Sequence, residues 1–320
     1  MQHILISRTD AIGDVVLTLP VCGLIKKYMP GVKVSFLGNS YTREIITASV
    51  FVDDFINYDD WVGDDEKAVR QLVDMQIDTI IHVFPKNKIA YLALKAGIDN
   101  RVGTTNRIYH WLYCNKLVKL SRKNSYLHES QLNIKLLEGI GIDVNLDLKD
   151  IPQYFGLNSL SLPSELDEML AKDKFNLIIH PKSRGSSKEW SLERYAELIN
   201  MIDLNHFKIF ISGSQKEKAI LSEWVKGFEG RVTDLTGKFS LRELLHFIAK
   251  ADGLIAASTG PVHLAAALGI NALGLYPNSA SINARRWGPI GQKASFIQAE
   301  TGNINQIGAD KVMYIVTQWK

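Results

Sequence analysis

The carboxylate of Asp14 occupies a position in the sequence that suits a residue accepting a proton from a substrate. An apolar run at residues 3–7 leads into a polar turn, and an apolar stretch of helical length follows Asp14. At the turn between a strand and a helix, a carboxylate can accept the proton of a substrate hydroxyl. It can equally cap the helix or complement its dipole. The turn has no GxGxxG pattern, which weakens a dinucleotide-binding interpretation.

A second turn of this kind occupies residues 257–263 and has the composition of an anion site. Either Ser258 or Thr259 can serve as the N-cap of the next helix, and Pro261 suits its first turn because an N–H is not needed there. The free amides at such a helix start, together with Gly260, can hold a diphosphate without a metal ion. His263 is either a core histidine or a ligand contact.

Three further loops follow predicted strands and carry groups suited to a nucleotide. Arg184 and Lys188 can neutralise phosphate oxygens, and Ser183 can donate a hydrogen bond to them. Glu217 can accept the two hydroxyls of a ribose, and the loop around Gly237 can hold a base through backbone groups. Each also has a plainer interpretation, as an exposed loop, a surface helix residue or a simple turn.

Other chemistries lack their sequence patterns. The chain has no HExxH, CxxC, GxSxG or Walker A motif, which disfavours metal hydrolysis, serine hydrolysis and P-loop chemistry. Cys22 and Cys114 are too few and too far apart for a disulfide framework, so we expect a reducing compartment. The first residues lack the basic and apolar regions of a secretory signal, and we expect the protein to stay inside the cell.

The elements that must position these residues alternate between short apolar runs and amphipathic helical stretches. Strands are predicted at 3–7, 33–37 and 77–84, and a second alternating series begins at residue 175. Such alternation predicts βαβ units with parallel sheets. At about 150 residues per domain, the 320 residues suit two domains, and residues 143–163 resemble a linker.

The predicted fold is therefore α/β, with two Rossmann-like domains at residues 1–160 and 161–320 whose parallel sheets face a central cleft. Ligands of such folds bind at the carboxyl ends of the strands. Residues 253–284 contain no Asp, Glu, Lys or Arg, but their Pro, His and Asn residues favour a buried strand, helix and strand over a membrane span. A last helix is predicted at about 309–318.

Charge is distributed unevenly along the chain. The net charge is only +3, yet residues 79–128 contain nine Lys and Arg and a single acid, Asp99. This segment is either a solvated basic face or a surface that meets phosphate-bearing molecules or an anionic membrane.

The order and spacing of the motifs resemble glycosyltransferase family 9, the ADP-heptose:lipopolysaccharide heptosyltransferases, over nearly the whole chain. The matching residues are Gly13-Asp14, Leu19-Pro20, Arg101-Val102-Gly103, His128-Glu129, Asn133, His180-Pro181, Lys188, Trp190, Gly213, Glu217, Thr236-Gly237, Ser240-Leu241, Thr259-Gly260, His263, Ala265-Ala266-Ala267-Leu268-Gly269 and Arg286-Trp287-Gly288-Pro289.

The resemblance implies a GT-B fold whose first domain binds the acceptor and whose second domain binds the nucleotide sugar, with the last helix packed back on the first domain. It also implies transfer with inversion and without a metal or other cofactor. Asp14 matches the general base, Lys188 a phosphate-binding lysine and Glu217 a ribose-binding carboxylate. The diphosphate and donor-sugar turn of the family matches Thr259, Gly260 and His263.

One residue departs from the family pattern. Many heptosyltransferases have an acid in contact with the donor heptose where this chain has Ser258. A serine can hydrogen-bond a sugar hydroxyl but offers no charged acceptor. Another nucleotide sugar, a sugar-nucleotide epimerase and a non-catalytic binding protein therefore stay open beside the leading expectation, ADP-heptose.

The basic segment has a use in this family, because the lipopolysaccharide inner core is phosphorylated and carries acidic sugars. Arg101 and Arg107 are the predicted acceptor contacts. Cations here can also hold the enzyme at the cytoplasmic face of the inner membrane without a spanning helix. No nucleic-acid partner is expected.

Overall fold

The chain forms two compact units. The computed structural model describes residues 1–123, 125–158, 165–183, 185 and 187–319. Contacts between Cα atoms divide the chain into Met1–Asn158 and Ser159–Lys320. This division lies two residues before the predicted boundary, within the stretch expected to be a linker.

The first unit alternates strands and helices. Its strands are β1 (His3–Ser7), β2 (Lys33–Gly38), β3 (Asp54–Asn57), β4 (Thr79–His82), β5 (Asn100–Thr104) and β6 (Lys116–Val118). Its helices are α1 (Ile12–Val16), α2 (Leu19–Tyr28), α3 (Arg43–Thr47), α4 (Asp65–Asp74), α5 (Asn87–Lys95), α6 (Ile108–Tyr113) and α7 (Glu129–Ile134).

These strands form one parallel sheet in the order β3-β2-β1-β4-β5-β6. This is the Rossmann strand order, and all strands end at the same edge of the sheet, which we call the carboxyl edge. β1 and β4 are buried along their whole length, because helices cover both faces of such a sheet. On one face, Leu5, Ile80 and Trp61 belong to a continuous apolar core.

The helix predicted at residues 14–28 is interrupted. α1 ends at Val16 and α2 begins at Leu19, with Pro20 in its first turn. Pro20 has no N–H to donate to the carbonyl of Val16, and its ring would clash with that carbonyl in a continuous helix. The break lies at Leu17 and Thr18, one turn after Asp14.

The second unit repeats the pattern. Its strands are β7 (Phe175–His180), β8 (Phe207–Ile211), β9 (Val232–Asp234), β10 (Gly253–Ala257), β11 (Asn271–Tyr276) and β12 (Ala294–Gln298). Its helices are α8 (Glu165–Glu168), α9 (Leu192–Met201), α10 (Gln215–Lys226), α11 (Leu241–Lys250), α12 (Gly260–Ala267), α13 (Ala284–Trp287) and α14 (Ala309–Thr317).

The second sheet is also parallel, in the order β12-β11-β10-β7-β8-β9. Counted from β7, this is again the Rossmann order, so the prediction of two Rossmann-like sheets is confirmed. The uncharged stretch at 253–284 contains β10, α12 and β11, as expected. Within the described ranges, no helix has both the length and the apolar character needed to cross a bilayer.

The last helix forms at the predicted place. α14 packs against α9, and Val312 and Val316 on its buried face belong to the apolar core of the second unit with Leu198. The expectation that this helix also packs back on the first domain stays a prediction.

Candidate active site

Asp14 lies in the first turn of α1, directly after the carboxyl end of β1. The N-cap of α1 is Ala11, and Asp14 is not in the capping position. Its carboxylate instead accepts a hydrogen bond from Arg8 Nη2. The side chain is about one-fifth exposed, at 21%, so the carboxylate is held on one side and open to solvent on the other. This arrangement suits a proton acceptor better than a helix cap.

Arg8 is the centre of a buried group of charges. It is almost fully buried, donates from Nε to Asp10 Oδ1 at 2.7 Å, and lies 3.5 Å from Glu129 Oε1 through Nη1. Burial by itself lowers the pKa of Arg8, but the charges of Asp10, Asp14 and Glu129 outweigh it and raise that pKa above its ordinary value. The guanidinium is thus a permanent positive charge shared by three carboxylates.

A second arginine, which lies late in the sequence of the first unit, also belongs to this group. Arg122 donates from Nε to Glu129 Oε1 at 2.8 Å and from Nη2 to Asn133 Oδ1 at 3.0 Å. Asn133 in turn donates to the carbonyl of Leu17 at 3.2 Å, at the junction between α1 and α2. We call Arg8, Asp10, Asp14, Arg122 and Glu129 the charge cluster. It fixes the turn after β1 to the start of α7.

The charge cluster changes the proton affinity of its carboxylates. Burial is the largest cause that raises the pKa of Asp14, and the charge of Glu129 raises it further, while Arg8 lowers it. Burial likewise raises the pKa of Asp10 to about 6, against the opposing effect of Arg8. A carboxylate with a raised pKa is a stronger base than one in water, which is what proton abstraction from a hydroxyl requires.

The sequence pointed to Asp14 but not to its partners' roles. In the sequence, Glu129 and Asn133 only match a family pattern, and Arg8 and Asp10 are only two residues of the polar turn that follows residues 3–7. The usable signal was the density of charged residues in the turn at 8–14, because charges directly after a buried strand need partners.

The two residues predicted to contact the acceptor, Arg101 and Arg107, lie in different positions relative to the first sheet. Arg101 is the second residue of β5, towards the opposite edge of the sheet, and its guanidinium donates to the carbonyls of Tyr113 (2.7 Å) and Ile98. These bonds hold neighbouring backbone in place, and the role of Arg101 as an acceptor contact stays a prediction. Arg107 follows the carboxyl end of β5 with an exposed side chain, where an acceptor can reach it.

In the second unit, the loop after β7 is organised by a residue that sequence reasoning missed. Glu189 Oε1 accepts from Ser183 N at 2.8 Å and from Ser183 Oγ at 3.0 Å, and its other oxygen pairs with Lys182. Burial raises the pKa of Glu189, but these bonds outweigh it and keep the pKa below its usual range. Lys188 is exposed in the same loop, and Arg184 lies outside the described residues.

Glu217 is a buried helix cap rather than a surface residue. In the first turn of α10, its Oε2 accepts from Ser214 N at 2.7 Å and from Ser214 Oγ at 2.8 Å. Its Oε1 is buried and has no hydrogen-bond partner among the described residues. One oxygen of this carboxylate therefore positions the helix while the other retains its capacity to accept a hydroxyl proton.

The glycine predicted at the base-binding loop is required by the backbone. Gly237 has φ +68°, and a Cβ there would collide with Gln215 Oε1. Its N–H donates to the carbonyl of Gly213 at 2.8 Å. The loops after β8 and β9 are thereby joined at the carboxyl edge of the second sheet.

The turn at 257–263 forms the predicted helix start. Thr259 is the N-cap of α12, with Gly260 as the first helical residue, and Thr259 Oγ1 is buried without a hydrogen-bond partner in the described part of the chain. His263 is buried one turn further on. Ser258 directly follows the last residue of β10. β10, β7, β8 and β9 are adjacent in the sheet, so all these predicted donor residues gather at one edge.

Comparison with known proteins identifies the family. A sequence model of glycosyltransferase family 9 (heptosyltransferase) matches residues 66–314. A Haemophilus influenzae protein, provisionally described as a glycosyltransferase, is 28% identical over 100% of this chain and 99% of its own length. The lipopolysaccharide core heptosyltransferase OpsX of the same organism is 25% identical over 86% of this chain and 79% of its own length.

A solved structure agrees at the level of the fold. The E. coli ADP-heptose lipopolysaccharide heptosyltransferase II has a TM-score of 0.81 and 18% identity, covering 100% of this chain and 98% of that one. The predicted GT-B fold is confirmed by this likeness and by the two Rossmann-like sheets. Since the family model matches well over half of its residues, the chain belongs to glycosyltransferase family 9, the heptosyltransferase family, and is a glycosyltransferase.

Proposed function

We propose that this protein transfers a heptose from ADP-heptose to a hydroxyl of the lipopolysaccharide inner core, with inversion and without a metal ion, at the cytoplasmic face of the inner membrane. The observation that carries the proposal is the carboxylate of Asp14, held by Arg8 at the carboxyl edge of the first sheet with a raised pKa. The names of OpsX and of the E. coli heptosyltransferase II support the substrate class.

In the proposed reaction, Asp14 accepts the proton of the acceptor hydroxyl as its oxygen attacks the anomeric carbon of the donor sugar. The new glycosidic C–O bond forms on one face while the C–O bond to the diphosphate breaks on the other, and the nucleoside diphosphate leaves with that electron pair. Attack opposite the leaving group inverts the anomeric centre. The general base contributes about 10²- to 10⁴-fold to the rate.

The donor is proposed to bind at the carboxyl edge of the second sheet. Lys188 is exposed beside the loop that Glu189 organises and supplies a positive charge for the diphosphate. The amides at the start of α12 supply hydrogen bonds to the same group. The Oε1 of Glu217, which has no hydrogen-bond partner among the described residues, accepts ribose hydroxyls. Lys188 and the α12 amides are thus proposed to stabilise the negative charge of the diphosphate in place of a metal ion.

Asp14→Asn tests the base. The amide keeps an oxygen for Arg8 but cannot take the proton, so we expect transfer to fall by about 10²- to 10⁴-fold, with ADP affinity unchanged in calorimetry. Asp310→Asn removes the corresponding first-turn acid of α14 and should leave both properties unchanged. Near-normal turnover by Asp14→Asn would exclude the proposed mechanism.

Lys188→Ala tests the donor site separately. We expect weaker ADP binding, because the lysine charge opposes that of the diphosphate. Lys216→Ala, which removes an exposed lysine from the first turn of α10, is the control. ADP affinity equal to that of the unmodified protein would refute the assignment of Lys188.

A second donor is tested because Ser258 stands where many members of the family have an acid. Because Ser258 is uncharged, its contact with the donor sugar does not favour heptose over another sugar. Nucleotide release should be measured with ADP-heptose and with other nucleotide sugars, each with and without acceptor. Acceptor-dependent release from ADP-heptose alone supports the proposal, and release from another donor alone overturns it.

A further inference from the structure

An apolar helix face in the first unit is turned to solvent. Ile108, Trp111 and Leu112 of α6 are 85%, 63% and 68% exposed. Their spacing at i, i+3 and i+4 places them on one side of the helix. The opposite side is fixed to the unit by the buried His110. We call the three exposed side chains the α6 face.

The α6 face is held rigidly. Trp111 Nε1 donates to the carbonyl of Thr105 at 2.9 Å, which fixes the indole although most of it is exposed. Tyr113, at the end of α6, packs edge-on against Tyr91 of α5, with ring centroids 5.8 Å apart. An ordered group of apolar side chains at the surface is typical of an interaction site.

Exposed cations flank α6 along the chain. Arg107 lies directly before α6 and is exposed. On α5, Lys95 Nζ lies 5.3 Å from the ring centroid of Tyr91, the residue that packs on α6. Lys116 and Lys119 follow α6 and are also exposed. Residues 100–128 include no Asp or Glu, so no acid of this segment neutralises these charges.

The α6 face also belongs to the edge that carries the proposed base. α6 follows the carboxyl end of β5, and Asp14 follows the carboxyl end of β1. β4 alone separates these two strands in the parallel sheet, so α6 begins at the same edge from which Asp14 projects.

We propose that the α6 face inserts into the boundary between head groups and acyl chains of a bilayer containing anionic lipids. A tryptophan beside aliphatic side chains suits this boundary, and the cations that flank α6 complement negative head groups. Charge complementarity favours a lipid surface over a protein partner. The inference rests on the proposed function, since docking here brings the edge with Asp14 to the level of an acceptor held in the membrane.

Vesicle binding tests the proposal directly. The full chain should co-sediment with vesicles of phosphatidylcholine and phosphatidylglycerol, less with phosphatidylcholine alone, and less at high salt. Ile108→Ser with Leu112→Ser should reduce partitioning at least about tenfold, because two apolar side chains no longer enter the boundary. Ile220→Ser, which removes an exposed isoleucine from α10 in the second unit, should bind as the unmodified protein does.

Tryptophan fluorescence provides a second measurement. Anionic vesicles should shift the emission of the unmodified protein to shorter wavelength, and Trp111→Phe should lose that shift while still co-sedimenting. An emission shift retained in Trp111→Phe would place the lipid contact elsewhere and overturn the proposal. Equal partitioning of the double serine variant and the unmodified protein would do the same, as would no partitioning of the unmodified protein.

Failure of this inference can be separated from failure of the proposed function. Vesicle binding needs neither donor nor acceptor, and Asp14→Asn should bind vesicles normally. The double serine variant should keep its ADP affinity, which shows that it is folded. A chain that transfers a different sugar would still bind vesicles through the α6 face.

Discussion

Replacing Glu129 with glutamine removes one charge from the charge cluster with almost no change in shape. The side chain is only 1% exposed, and its Oε1 lies 2.8 Å from Arg122 Nε and 3.5 Å from Arg8 Nη1. The amide oxygen can still accept from Arg122, but the buried guanidinium of Arg8 and the partly exposed one of Arg122 then share fewer negative charges. The substitution therefore isolates the electrostatic part of the interaction.

The magnitude follows from the partners that remain. Removing one partner of a buried ion pair costs about 3–5 kcal/mol. Arg8 keeps Asp10 and Asp14, and Arg122 keeps the Asn133 side chain. We therefore expect the lower end, about 3 kcal/mol, as a loss in the free energy of unfolding measured with urea at pH 7.

Glu138→Gln is the matched control. Glu138 pairs with Lys135 one turn away, and each side chain is more than one-third exposed. Such a pair contributes about 0.5 kcal/mol or less. If Glu129→Gln destabilised the protein no more than Glu138→Gln, the charge cluster would not have the buried electrostatics described above.

The same variant has a kinetic consequence. The negative charge of Glu129 adds to burial in raising the pKa of Asp14, so its removal should lower that pKa. The acidic limb of the pH profile of kcat/KM reports the base of the free enzyme and should move to lower pH. A limb that stays in place would show that Glu129 does not act on Asp14.

Two further predictions concern stability. Burial raises the pKa of Asp10 to about 6, so the folded state binds the proton of this carboxyl group more tightly than the unfolded state does. The contribution of Asp10 to stability therefore falls as the pH rises from about 4 to about 6. Asp10→Asn should therefore gain thermal stability relative to the unmodified protein at pH 8 but not at pH 4, and an equal difference at both would contradict this. In Gly23→Ala the new Cβ would lie 2.5 Å from the carbonyl oxygen of Tyr154, and the free energy of unfolding should fall by about 1–3 kcal/mol. Gly302→Ala, with open space around it, is the control, and equal urea midpoints for the two variants would refute the argument.

The predicted alternation succeeded where strands are central and buried. β1, β7 and β10 contain uninterrupted apolar runs, at residues 4–6, 177–179 and 253–257, because helices cover both faces of a parallel sheet. The helices between them were recognisable from their apolar periodicity. In these elements the local sequence and the tertiary environment demand the same residues.

The prediction failed where the local sequence and the tertiary environment demand different residues. The edge strands β3, β6 and β12 were missed because they are short or partly exposed and lack an apolar run. β5 was missed because it begins with the polar residues Asn100 and Arg101, whose side chains donate to Thr79 of β4 and to the carbonyl of Tyr113 in α6. α6 was missed because its apolar residues face outward, so no core pattern marks it.

The sequence by itself determined two Rossmann-like sheets and the turns from which functional residues project, because strand, turn and helix signals are local. It also marked Asp14, since an acid between a buried strand and a helix is visible in a few residues. Only the tertiary structure decided that Arg8 and Arg122 meet at Glu129, across 121 residues of chain between Arg8 and Glu129, and that Arg101 is tied to backbone. The physical reason is that proton affinity depends on burial and on distances through space, which no local pattern encodes.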